Sequence, residues 1–168
     1  DGKPCADFGD NGQVSLREGL GEFAEQEYSV TSPPAILGDR IITGAMVLDR
    51  THNHMPSGVV RAYNVRTGAL EWFWDPIPPG QQPQFDAEGK PVFRRGTTNV
   101  WSVISVDPER NLVFLPTGNT STDFFGGLRD NMDYYSSSVV ALKGDTGELA
   151  WHFQMVHHDI WDYDTPIA

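Results

Sequence analysis

Short apolar runs, separated by turns rich in Gly, Pro and Asp, make up most of this chain. Runs of this length bounded by turn residues predict β-strands rather than helices. The turns Gly38–Arg40 and Asp107–Asn111 each join two such runs. We therefore predict an all-β fold with eight strands, at residues 35–38, 41–44, 58–64, 70–73, 102–106, 112–116, 137–142 and 149–153.

One pattern, A-x(4)-T-G-x(3)-W, occurs twice, at residues 62–72 and 141–151. In each copy Thr-Gly forms the turn between two strands and Trp ends the second strand. Two further short strands precede each copy, so the repeating unit is four antiparallel strands. A repeated four-stranded unit is typical of β-propeller blades; the alternative is a β-meander with a chance repeat. The aromatic residues predicted to pack the blades are Trp72, Phe114, Trp151 and Phe153.

The prolines between residues 75 and 91 cannot lie in a central strand, so they predict a surface excursion between the two units. The resulting division is the tail of a blade at 1–30, a blade at 31–75, the excursion at 76–98, a blade at 99–155, and the start of the next segment at 156–168.

Composition and charge reduce the number of possible functions. The net charge of −11 excludes nucleic acid as a partner, since no basic patch could neutralise phosphates. The sequence contains no run of eighteen apolar residues, so it predicts no membrane-spanning segment. Cys5 is the single cysteine, so no disulfide framework is expected. The chain begins at Asp1 without an initiator Met, and we expect the natural N-terminus to lie elsewhere.

The highest density of potentially functional side chains is in residues 156–164, which include two histidines, three aspartates, one tryptophan and one tyrosine. Such a combination is typical of a functional site, although a solvated acidic turn with Trp161 packed on the core would also explain it. His157 and His158 are adjacent and would face opposite sides of a strand, so we expect structural roles for them. A histidine-based metallohydrolase would need a helical H-x-x-x-H arrangement, which is absent here.

The repeated motif resembles the tryptophan-docking motif of eight-bladed quinoprotein dehydrogenases, which use pyrroloquinoline quinone (PQQ). The resemblance is strongest to the membrane-bound glucose/quinate/shikimate branch, at residues 31–34, 57–61 and 157–162. It implies oxidation of a sugar or cyclic polyol, with electrons passed to ubiquinone or another quinone. It also implies a location on the periplasmic side of the bacterial inner membrane. Since the chain holds two blades, we expect it to be part of a propeller domain, with the membrane anchor outside it.

The resemblance also implies roles for five residues. Asp49 and Asn119 match metal ligands, and Asp162 matches the catalytic aspartate and a third metal ligand. Trp101 matches the surface on which the quinone lies, and Thr31 matches a threonine that hydrogen-bonds PQQ. Oxygen ligands suit a hard cation, Ca²⁺ or Mg²⁺, and a Trp ring suits a flat cofactor. We therefore expect the side chains to converge at one end of the strands.

Arg50 departs from the resemblance, because glucose-type relatives often carry Asn directly after the acidic ligand. An inward-facing Arg50 would repel a metal ion. A non-catalytic β-propeller that serves as an interaction scaffold is the alternative function. Such a scaffold would have no reason to keep the oxygen ligands, the ring and the base together, so the set Asp49, Trp101, Asn119 and Asp162 favours the enzyme.

Overall fold

The computed structural model describes residues 2–165, and within them the regular structure is almost entirely β. Two single 3₁₀ turns, Glu25–Glu27 and Gly126–Leu128, interrupt the strands. No helix in this range is long and apolar enough to cross a membrane. The strands are β1 Tyr28–Ser29, β2 Ala35–Leu37, β3 Arg40–Thr43, β4 Met46–Val47, β5 Val60–Asn64, β6 Leu70–Trp74, β7 Gln84–Phe85, β8 Pro91–Val92, β9 Ser105–Asp107, β10 Leu112–Pro116, β11 Ser138–Lys143 and β12 Leu149–Gln154.

Two four-stranded antiparallel sheets carry the repeat. Their strand orders are β2-β3-β5-β6 and β9-β10-β11-β12. The register shifts at the same place in both copies of the motif, between Ala62 and Tyr63 and between Ala141 and Leu142. The all-β prediction is confirmed, and the matching irregularity indicates that the two motifs build equivalent blades.

Two predicted strands begin later than expected. The strand predicted from residue 58 begins at Val60, because the Gly58 and Val59 amides bond to the side chains of Thr97 and Ser57. The strand predicted at 102–106 begins at Ser105. Two small pairings escaped prediction: β1 with β4, and the β7–β8 hairpin inside the excursion.

Trp72 joins the two blades. Its ring is buried, and its Nε1 donates a hydrogen bond of 3.0 Å to the carbonyl of Gly144 in the second blade. Gly147 lies directly against the ring, since a Cβ there would come within 2.5 Å of Trp72 Cε3. The packing prediction is therefore confirmed for Trp72. For Trp151 and Phe153, which are 45% and 67% exposed, it stays a prediction, because no later sheet lies against β12 within residues 2–165.

The core has two parts. The larger one fills the space between the two blades and includes Leu37, Trp74 and Leu115. The smaller one packs Leu20 and Phe93 against residues of the first blade and its connections. The N-terminal segment and the excursion therefore both pack against the first blade. They contact it near β4, the strand that precedes Asp49.

Candidate functional site

Three carboxylates meet at one end of the blades. Ligand oxygens of Asp49, Asp162 and Asp164 all lie within 4.8 Å of one another, and each residue is partly buried. Asp49 follows β4, whereas Asp162 and Asp164 lie in the loop after β12. Residues separated by more than one hundred positions are thus brought together, as the sequence predicted for Asp49 and Asp162.

Asp159 shapes the loop that delivers the last two carboxylates. It is buried and accepts hydrogen bonds from Ser137 Oγ at 2.8 Å, from the Trp161 amide at 2.9 Å and from the Tyr163 amide at 2.7 Å. Asp162 lies between these anchored amides with a φ of +65°, a left-handed conformation that Asp tolerates better than most residues. A single buried carboxylate therefore fixes the turn and leaves Asp162 facing the site.

Asp164 connects the acidic cluster to Trp101. It accepts a hydrogen bond of 3.0 Å from Trp101 Nε1 and a short one from the Asn119 amide. Gly118 permits this approach, because a Cβ there would lie 2.9 Å from Asp164 Oδ1 and 3.2 Å from Trp101 Cδ1. The edge of the indole is thus held beside the carboxylates.

Thr31 reaches the site through the backbone of Trp101. Thr31 Oγ1 and Ser32 Oγ donate hydrogen bonds of 2.7 and 2.8 Å to the Trp101 carbonyl. The hydroxyl hydrogen of Thr31 is therefore already used, although its oxygen can still accept. The structure places Thr31 beside Trp101, and its predicted contact with a cofactor stays a prediction.

Asn119 lies next to the cluster with its side chain turned into the protein. The amide oxygen accepts hydrogen bonds from the Thr120 amide at 2.9 Å and from Ser136 Oγ at 3.2 Å. Its Nδ2 donates to the Asp123 carbonyl at 3.4 Å. Both lone pairs of the oxygen are engaged, so binding a cation would require one of these bonds to yield.

Asp123 is a member of the site that sequence reasoning missed. Its side chain is 0% exposed, and neither carboxylate oxygen has a hydrogen-bond partner. Arg50 Nε lies 3.9 Å from Asp123 Oδ2, and Arg50 Nη2 lies 4.0 Å from Asp162 Oδ2. Arg50 therefore does approach the acidic site, from a side chain that is 69% exposed. No periodic pattern marks Asp123, because it lies in the irregular segment after β10.

Burial and mutual repulsion perturb these acids. Burial raises the pKa of Asp49 and of Asp164, and in each case the charge on Asp162 raises it further. Burial, together with the negative charges of Asp49, Asp162 and Asp164, raises the pKa of Asp123 to about 7. A cation bound among these four carboxylates would relieve both effects. The donors are all oxygens, which fits a hard divalent ion such as Ca²⁺ or Mg²⁺.

The two histidines form a separate feature. His157 Nδ1 lies 3.0 Å from Gln154 Oε1, and His158 Nδ1 lies 2.9 Å from Asp133 Oδ2. They occupy a turn after β12, and their rings stand 4.1 Å apart. The expectation that they face opposite sides of a strand is therefore wrong. These contacts support the structural roles predicted for both residues.

Comparisons with known proteins show which family and which structures this chain resembles. Residues 1–168 match the family model described as PQQ: glucose/ethanol/alcohol dehydrogenase, beta-propeller domain. The chain is 44% identical to quinate/shikimate dehydrogenase (quinone) of Acinetobacter baylyi, over 99% of this chain and 20% of that protein. It is 40% identical to the glycerol dehydrogenase large subunit of Gluconobacter oxydans, over 97% of this chain and 22% of that protein. The structure of quinohemoprotein alcohol dehydrogenase from Comamonas testosteroni superposes with a TM-score of 0.67 at 25% identity, over 88% of this chain and 23% of that one.

Proposed function

Because the chain belongs to the PQQ-dependent dehydrogenase β-propeller family, we propose that it forms part of an enzyme that oxidises a hydroxyl group of a sugar or cyclic polyol. The chain spans about a fifth of the length of the curated relatives described above. The activity therefore belongs to a longer protein, in which residues 31–75 and 99–155 form two of eight blades.

The observation that carries the proposal is the meeting of Trp101 with the acidic cluster at Asp164. In our proposal Asp49, Asn119 and Asp162 hold Ca²⁺ or Mg²⁺, Trp101 supplies the stacking surface, and Thr31 hydrogen-bonds the cofactor. PQQ held by these residues would supply a hydride acceptor for the substrate carbon, and the cation would supply Lewis-acid polarisation. A propeller kept only as an interaction scaffold would not need a flat ring held beside several partly buried carboxylates.

Asp162 is the group best placed to act as general base. Its side chain is 26% exposed, so a substrate hydroxyl can approach it. Asp164 is committed to Trp101 and Asn119 through both oxygens, and Asp123 is closed off from solvent. Among these carboxylates, Asp162 therefore combines access with a fixed position, and it would remove the hydroxyl proton as hydride leaves the carbon.

The wider context of the enzyme belongs to the same proposal. We propose a quinone, such as ubiquinone, as electron acceptor and the periplasmic side of the bacterial inner membrane as location. The name of the Acinetobacter baylyi relative, quinate/shikimate dehydrogenase (quinone), supports the acceptor. Contacts with that acceptor and with the membrane would be made by regions outside this chain. The names of the relatives make quinate, shikimate, glucose and glycerol the first substrates to assay.

The test uses the parent protein loaded with PQQ and Ca²⁺ and measures dye reduction with each of these substrates. Asp162→Asn should lower kcat by about 10²–10⁴-fold while PQQ affinity stays close to wild type, because the amide keeps the shape but cannot take the proton. Trp101→Ala should instead lower the affinity for PQQ, which equilibrium dialysis measures. Asp145→Asn, in the exposed turn of the second motif copy, is the matched control. Full turnover by Asp162→Asn would refute the assignment of the base.

The isolated chain provides a second test. Residues 1–168 alone should reduce no dye with PQQ, Ca²⁺ and any of the substrates, because they supply only part of the pocket wall. Trp151 and Phe153 also remain open at the end of the second blade. Clear PQQ-dependent activity of this chain would show that the eight-bladed assembly is not required.

A further inference from the structure

We propose that Asp123 is a further ligand of the cation at this site, beside Asp49, Asn119 and Asp162, and that Arg50 is a tethered cation that competes with the ion for it. The inference rests on the proposed function, since that function places an ion at Asp49 and Asp162. It adds one residue from an irregular loop to the site and gives a role to the Arg that stands beside the acidic ligand.

The first argument is the state of the Asp123 side chain. A carboxylate that is 0% exposed and has no hydrogen-bond partner at either oxygen is costly to a folded protein. Buried charges are normally paired or coordinate a metal ion. Asp123 therefore lacks full charge compensation, and Asp49, Asp162 and Asp164, which converge nearby, lie close enough for their charges to act on it.

The second argument is that the backbone holds Asp123 in place. Its amide donates to the Asp49 carbonyl at 3.2 Å, which ties it directly to another residue of the site. Its carbonyl accepts from Arg129 Nη2 at 3.0 Å and from Asn119 Nδ2 at 3.4 Å. Arg129 thus serves the backbone of Asp123 and not its carboxylate. A carboxylate on so firmly held a segment is already positioned for an ion and need not reorganise to bind it.

The third argument comes from Arg50. The guanidinium stands 3.9 Å from Asp123 and 4.0 Å from Asp162, beyond hydrogen-bond distance of both. Its side chain is mostly exposed, so it can withdraw into solvent. Arg50 therefore offers partial charge compensation to both Asp123 and Asp162, two of the residues that would hold the ion. An ion entering the site must displace this charge, and the two should compete.

The experiment measures ion binding directly, by calorimetric titration of the metal-depleted, PQQ-loaded parent protein with Ca²⁺ and with Mg²⁺. Asp123→Asn should raise the Kd for the ion at least about tenfold, the lower end of the cost of disturbing a metal site. Arg50→Gln should lower the Kd, because it removes the competing cation. Asp130→Asn, an exposed residue of the same irregular segment, is the matched control and should change nothing.

The double variant separates a ligand from a simple partner of Arg50. If Asp123 binds the ion, Asp123→Asn must weaken binding at least as much in the Arg50→Gln background, where no competing cation is present, as in wild type. If Asp123 only neutralises Arg50, its effect must vanish in that background, and the inference is overturned. Thermal unfolding of the metal-free proteins checks folding. Asp123→Asn should be at least as stable as wild type there, because it removes a buried charge that Arg50 compensates only in part and that three nearby carboxylates repel.

Asp49→Asn distinguishes this inference from the proposed function. If Asp49→Asn weakens ion binding and Asp123→Asn does not, Asp123 is no ligand while the proposed function stands. If the wild-type protein binds no ion and reduces no dye, the proposed function fails and the inference fails with it.

Discussion

Replacing Gly147 by Ala should disrupt the contact between the two blades. Gly147 has a φ of +71°, and an added Cβ would come within 2.5 Å of Trp72 Cε3 and 2.8 Å of Cδ2. These ring atoms cannot move freely, because Trp72 Nε1 is bonded to the Gly144 carbonyl on the same turn. Either the turn or the whole indole must shift, and the hydrogen bond weakens with it.

The expected cost has two parts. A non-glycine residue in the left-handed region costs about 1–2 kcal/mol, and forcing a methyl group into a packed core costs about 1–3 kcal/mol. Gly147→Ala should therefore destabilise the protein by about 2–5 kcal/mol. Gly38→Ala is the matched control, because Gly38 has a φ of +58° with nothing within 4 Å of the added Cβ. It should cost only the backbone part.

Urea denaturation, monitored by tryptophan fluorescence, gives the difference in the free energy of unfolding between the two variants. Hydrogen exchange of the Trp72 indole N–H, which should become faster only in Gly147→Ala, reports on the same contact locally. Equal losses of stability in the two variants, with unchanged indole exchange, would show that the ring is not clamped by the turn. The blade contact would then have to lie elsewhere.

The remaining predictions concern a glycine at the site and a buried acid. Gly118→Ala should weaken PQQ binding about tenfold, measured by dialysis, because the new Cβ would press on both Trp101 and Asp164; unchanged affinity would contradict the proposed stacking surface. Burial raises the pKa of Asp75 from 3.8 to about 6, so the folded state binds more protons than the unfolded state between these pH values. Stability should therefore fall as pH rises from about 4 to about 6, by about 3 kcal/mol from this residue. Subtracting the pH profile of Asp75→Asn isolates this contribution, and a difference that does not change with pH would refute it.

The blades could be predicted because the information that specifies them is local. Each Thr-Gly turn and each Trp is part of one eleven-residue motif, and both copies of the motif fold into the same four-stranded unit. Strand ends were harder to predict where side chains replace backbone partners. The amide of Gly58 bonds to Thr97, a residue 39 positions away, and no local pattern carries that information.

Within the site, the resemblance indicated residues but not their neighbours. It pointed to Trp101 and Asp162, which the structure does bring to one place. It did not indicate that Asp164 would bond to Trp101, or that Asn119 would turn its amide oxygen toward Ser136. The Asp164 contacts depend on how the loop after β12 folds back onto residues of its own blade. That return is determined by Asp159, whose three hydrogen bonds exist only in the folded chain.

Asp123 shows most clearly what could not be predicted from the sequence. In sequence it is one of many aspartates in a polar loop, where solvent exposure is the ordinary expectation. Its burial follows from the bond between its amide and Asp49, which closes a loop of 74 residues. A buried carboxylate with no hydrogen bond and only partial compensation from Arg50 is the kind of cost that folded proteins retain at sites of function. Asp123, which no sequence pattern singled out, is therefore the acid whose burial our proposal explains by a bound cation.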